Sequence, residues 1–81
     1  MEKLKELLID RGRMYALMQD ADGGLYIEVV VGGIALESYI IPLTEEERQQ
    51  YEKSGKSFLD RLARYIAMDT TNYVNRRVFF R

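Results

Sequence analysis

Neither cysteine nor histidine occurs among the 81 residues, tryptophan is absent, and proline occurs once. Without thiols there is no disulfide, no thiolate nucleophile and no thiolate zinc site. Without imidazole there is no His-based triad and none of the usual metal-ligand pairs. Charge of one sign is lacking too. Twelve basic and thirteen acidic side chains leave a formal charge of −1, which supplies no overall pull toward nucleic acid or an anionic membrane. No apolar run approaches the roughly 20 residues that a membrane-spanning helix needs. The opening Met1-Glu2-Lys3-Leu4-Lys5 is too charged for a secretory signal, so a soluble cytoplasmic protein is expected.

What is present is an ordinary globular composition. Hydrophobic residues make up 47% and charged residues 31%, enough apolar surface to rule against disorder. A chain this short supports one core, so residues 1–81 are read as a single domain. Leu4, Leu7 and Leu8 at helical spacing predict a short N-terminal helix over Glu2–Asp10, stopped near Gly12. From Met14 the period changes to two. Strands are predicted at Met14–Met18, Leu25–Val31 and Ile34–Ile41, with turn residues Asp20–Gly24 and Gly32-Gly33 between them. Pro42 ends the last of these, because it has no N–H to give a ladder.

Thr44-Glu45-Glu46-Glu47 has the form of a capping box, and a helix should run from there to about Lys53. Ser54-Gly55 breaks it, and a second helical segment starts near Ser57 with that serine as cap. Phe58, Leu59, Leu62, Ala63 and Ile66 form its apolar face, and Asp69 to Asn72 end it. The expected fold is therefore α+β, in the order α-β-β-β-α-α: a short N-terminal helix, a three-stranded antiparallel meander, then one broken or two consecutive helices packed on one sheet face. The state of residues 70–81 is not fixed by pattern.

Several fragments resemble chemistry without completing it. Gly55-Lys56-Ser57 has the ending of a phosphate loop, but Gln50 stands where the first glycine belongs, within a predicted helix. Asp20-x-Asp22 begins like a calcium loop, yet Leu25 and Val31 occupy the required glycine and glutamate positions. A turn accounts for it. Glu28 and Glu37 would face each other if Gly32-Gly33 forms a two-residue turn, as a solvated, salt-bridged or cation-sharing pair. No cofactor, metal site or catalytic residue is predicted, and the chain is read as a non-enzyme.

The most informative feature is the second face of the predicted sheet. Tyr26, Glu28 and Val30 share it with Ala35, Glu37, Tyr39 and Ile41, and only the glutamates and the tyrosine hydroxyls make it polar. Antiparallel sheets exposed on one side normally alternate apolar with polar residues. The expectation is a small non-catalytic interaction domain that self-associates as a homodimer or docks on a partner protein. Tyr26, Val30, Tyr39 and Ile41 are its predicted interface. Bacterial inhibitor, immunity and accessory proteins share such a size and lack of catalytic groups. The alternative is a nucleic-acid module using Arg61, Arg64, Tyr73, Arg76, Arg77 and Arg81, whose arginine and aromatic content suits base stacking. The overall charge argues against it.

Overall fold

A computed structural model describes residues 4–32 and 35–79. Four strands form one antiparallel sheet in the order of the chain: β1 (Lys5–Asp10), β2 (Tyr15–Gln19), β3 (Leu25–Val31) and β4 (Glu37–Pro42). Helices α1 (Glu45–Ser54) and α2 (Lys56–Met68) follow, then a single helical turn, α3 (Thr70–Tyr73), and a 3-10 turn over Val74–Arg76. The α+β class, the meander and the two consecutive helices agree with the sequence reading.

The N-terminal segment does not. Its described part is strand β1, paired antiparallel with β2 from Lys5↔Gln19 to Asp10↔Tyr15, and not a helix. A helix of that length is marginal alone, whereas a neighbouring strand offers its backbone a full set of partners. Asp10 makes the hairpin by accepting a hydrogen bond from the Arg13 N–H at 3.0 Å. A register shift between Glu6 and Leu8 places the extra residue at Leu7. That bulge is why the leucine spacing mimics a helical one.

The second correction is the register of β3 on β4. Val31 pairs with Glu37, Val29 with Tyr39 and Ile27 with Ile41. The expected two-residue turn would have paired Val31 with Ile34, three positions earlier; residues 33 and 34 themselves lie outside the described residues. An odd offset reverses every side chain of a strand. Tyr39 and Ile41 therefore face the helices, 9% and 1% exposed, and Ser38 and Ile40 face away. The gain is plain: the predicted register would have pointed Ser38 at the core, and the observed one sends in Tyr39 and Ile41, with Leu43 beyond them.

Thr44 and Glu47 form the capping box as read from the sequence. The Glu47 N–H donates to Thr44 Oγ1 at 3.1 Å, and the Thr44 N–H donates to Glu47 Oε1 at 2.9 Å. Gly55, at φ 65°, turns the chain between the helices and is itself the N-terminal cap of α2. Ser57 does not cap; its hydroxyl donates to the Ser54 carbonyl at 2.9 Å. Phe58, Leu59, Leu62, Ala63 and Ile66 of α2 are buried against Tyr15, Leu17, Ile27, Val29, Tyr39 and Ile41. By contrast, α1 buries no residue fully. It is held by Tyr51 against the core edge, by Arg48 donating to the Gly23 carbonyl at 3.1 Å, and by the Glu47–Arg76 pair.

Fully burying one such aliphatic side chain is worth about 1.5–3 kcal/mol, and α2 supplies every fully buried residue of the helical layer. Leu59→Ala should therefore lower unfolding free energy by about 2–5 kcal/mol in urea titration. A loss below about 1 kcal/mol would contradict this placement of the core.

Candidate protein-interaction face

The sheet carries its helices on one side only. On the other side, backbone pairing lines up Ile9 with Ala16, Ala16 with Glu28, Glu28 with Ile40, and Ile40 with Val78. Alternation along each strand puts these five residues in one row across the whole sheet. Four are apolar and one is a carboxylate. The adjoining row is Glu6, Met18, Tyr26 and Pro42, with the carboxylate on the edge strand, and Val30 lies opposite Ser38. Ala16 and Met18 are buried by their neighbours, while Leu7, Ile9 and Met14 are each exposed by more than 40%. Directly opposite residues on one face are the units that set its chemistry. Here that chemistry is aliphatic.

At the β1–β2 end of this face lies a hollow of about 270 Å³, lined by Ile9, Arg11, Met14, Ala16, Glu28 and Val30 among others. Met14 holds a left-handed backbone, φ 61°, the one positive φ at a non-glycine among the described residues. Its carbonyl accepts from the Val30 N–H at 2.9 Å, which locks the turn onto β3. Glu28 is half-buried, and within the described residues it has no hydrogen bond or ion pair. The same is true of Arg11, on the opposite rim. Asp10 lies beside them but is otherwise engaged.

Its partners form the main polar cluster, on the helix side of the β1–β2 hairpin. Lys56 Nζ donates to Asp10 Oδ2 at 2.7 Å and to Asp60 Oδ1 at 2.9 Å. The Tyr15 hydroxyl donates to Asp60 Oδ1 at 2.5 Å, and Arg13 lies 3.3 Å from Asp10 and 3.8 Å from Asp60. The hydrogen bond from Lys56, then the Arg13 N–H, draws the Asp10 carboxyl down to about 2. Hydrogen bonds from Tyr15 and Lys56 lower that of Asp60. Burial, then the bond to Asp60, pushes the Tyr15 phenol up to about 12, and the two aspartates raise Lys56 above the ordinary lysine range. Every group is thus held in its resting form, charged for the acids and Lys56, protonated for Tyr15. These shifts make Asp10 and Asp60 weaker proton acceptors, and Lys56 and Tyr15 weaker proton donors, than the free side chains.

The cluster ties the hairpin to α2. Asp20 is likewise engaged within the chain. Its Oδ1 accepts from the Asp22 and Gly24 N–H groups, and its Oδ2 accepts from the Tyr26 hydroxyl. Those oxygens close a turn.

Of the residues predicted for an interface, Tyr26 and Val30 lie on the open face, half-buried, whereas Tyr39 and Ile41 lie in the core on the other side. Ile9, Met14, Ile40 and Arg11 also belong to the open face and were not among those predicted, since Ile9 was read as helical and the register of β4 differed. Glu28 and Glu37 do not meet. Glu28 faces Ile40, and Glu37 lies 3.5 Å from Arg77 on the helix side.

The arginine set is dispersed. Arg61 and Arg64 are exposed on α2. Arg76 grips Glu47 with both terminal nitrogens, at 2.6 and 3.2 Å, and donates to the Pro42 carbonyl at 3.0 Å. It also stacks on Tyr73 at 5.5 Å. Arg77 lies between the rings of Tyr39 and Phe79, 4.0 and 4.6 Å from their centres, and donates to the Ser38 carbonyl at 2.7 Å. Arg81 lies outside the described residues. Among the described residues no helix is long and apolar enough to cross a membrane. Compared with protein-family models, curated proteins and solved structures, the chain matches none.

The lowered Asp10 and Asp60 values stabilise the fold above the ordinary carboxylate range. That contribution is lost as pH falls from 3.8 toward about 2 for Asp10. The Lys56 and Tyr15 shifts act oppositely, helping below 10.5 and 10.0 and fading above them. Lys56→Met should therefore flatten the acid limb of a melting-temperature against pH profile. Parallel acid limbs in the variant and the parent would contradict the clamp.

Proposed function

We propose that this chain is a non-catalytic protein-interaction domain whose helix-free sheet face is covered by a second protein, in the first instance another copy of itself. The observation that carries the reading is the row Ile9–Ala16–Glu28–Ile40–Val78, aliphatic on every strand except at one carboxylate. A sheet side built to stay wet would carry polar residues at those positions. Large contiguous apolar surface on a small domain marks an interaction site or an aggregation hazard. A formal charge of −1 sets almost no long-range repulsion between copies. Face-to-face stacking of two antiparallel sheets is a common way to cover such surface.

The size of the face sets the strength. Four strands about 4.8 Å apart span roughly 15 Å between the outer axes, and six residues at about 3.3 Å each extend about 20 Å. A patch of that size, about 300 Å² per copy, falls below the standard range of specific interfaces, so weak, transient self-association is expected in place of a permanent dimer. The nucleic-acid alternative gains no support of its own, since Arg76 binds Glu47 and the Pro42 carbonyl, and Arg77 is packed between two rings with its terminal nitrogens on Ser38 and Glu37 and its Nε buried.

Sedimentation velocity over a wide concentration range tests this directly. The mass should rise from 9.5 kDa toward twice that value. Ile9→Lys combined with Val30→Lys should hold it at the monomer while circular dichroism and the unfolding midpoint show the fold retained. A folded double variant that still dimerises would overturn the reading of this face.

A further inference from the structure

Two charged groups left without partners among the described residues line the same hollow of the open face. Glu28 projects from β3, and Arg11 stands in the turn that follows β1. The other charges nearby are committed. Asp10 and Arg13 bind each other, Asp10 is further held by Lys56, and Arg13 also faces Asp60. The same hollow is lined by Ala16, buried beneath its neighbours, and by Ile9, Met14 and Val30. A carboxylate half-buried among aliphatic groups becomes costly once a partner excludes water, unless that partner brings a cation. The chain itself presents one on the far rim of the same hollow.

A face-to-face contact between identical chains has its two-fold axis lying in the plane of contact, and each residue then meets the counterpart of another at the mirrored distance from that axis. An axis passing over Glu28 would bring two carboxylates together, which repel. An axis running along β2, over Ala16, instead sets β3 of each copy above β1 of the other and leaves β4, with Ile40 and Val78, at the margin of the contact. Sequence order on the sheet makes this possible, since β1 and β3 are the two neighbours of β2. Glu28 then lies over Ile9 of the other copy, the residue level with it across β2, and Arg11 follows two positions later in the chain, a distance its long side chain can span.

Resting on the reading given above, we infer that two copies close face to face about an axis along β2, with Glu28 of each copy paired to Arg11 of the other. The contact is self-complementary: an acid and a base on opposite rims of one apolar hollow become two equivalent ion pairs flanking a shared aliphatic centre. The pairs fix the relative position of the two sheets, which the aliphatic row alone leaves free to slide.

Charge reversal tests this in trans. In Glu28→Arg, both ion pairs become arginine against arginine; in Arg11→Glu, both become glutamate against glutamate. Each variant alone should dimerise roughly tenfold or more weakly than the parent. An equimolar mixture restores opposite charges at both pairs, so it should recover a dimer holding one copy of each, identified by native mass spectrometry. Recovery in the mixture with loss in the single variants establishes the pairing and also shows that both variants fold. Two variants that each dimerise as well as the parent remove the ion pairs, with the open face still the contact if Ile9→Lys/Val30→Lys is monomeric. A parent chain that stays monomeric at every concentration removes the second copy as occupant.

Discussion

Val31 pairs with Glu37 across the last hairpin, and that register determines what both sides of the sheet are made of. It sends Tyr39 and Ile41 toward α2, where they join Ile27, Val29, Leu59 and Ile66 in one core. It also places Ile40 beside Glu28 on the opposite side, and Ile40 in turn bridges to Val78 at the sheet margin. A shift by one residue would undo both arrangements together, because the side-chain period of a strand is two. The closing segment reinforces this choice. Arg77 packs on the ring of Tyr39, donates to the Ser38 carbonyl and reaches Glu37, so three successive residues of β4 are read by one side chain.

With the inner side settled, the economy of the fold follows from its size. Only α2 is amphipathic enough to bury a stripe, and its five apolar residues cover the middle of the sheet. Helix α1 has no such stripe and is fastened through polar contacts at its first turns. One helix of that kind serves one side of four strands. The second side is left with what its residues provide: Ala16 and Met18 sink under their neighbours, and Ile9 and Met14 stand up around them. Small domains bury a smaller fraction of their surface than large ones, and an apolar second face is where that shortfall becomes visible.

The legible parts of the sequence were those with a local cause. The Thr44–Glu47 box, the Gly55 break and the three-four spacing from Phe58 to Ile66 each depend on residues within a turn or two of one another. Tyr26 and Val30 were placed correctly because β3 alternates without interruption. What could not be read depended on partners distant along the chain. The bulge at Leu7 gave β1 a helical spacing, and only β2 shows that the segment is extended. Two adjacent glycines suggested the shortest hairpin, but the competition between Ser38 and Tyr39 for the core is decided by α2, far along the chain from either. That single tertiary choice moved Tyr39 and Ile41 off the open face, separated Glu28 from Glu37, and brought Ile40 in their place.

Glu28 is then the residue that most needs a physical account. At the centre of a face that only had to stay soluble, one carboxylate among four aliphatic residues achieves little, since several charges spread over the strands would do more. At the centre of a face that only had to be sticky, a carboxylate is a burden, because covering it without a counter-ion costs more than the surrounding aliphatic groups return. It makes sense where the cover is specific. A partner lacking a cation at the matching point meets a desolvation penalty, and one that supplies it gains a fixed register. The same carboxylate thus discourages indiscriminate stacking of the open face and favours one geometry of contact. Arg11, across the hollow and uncommitted within the described residues, completes that condition inside the chain's own surface.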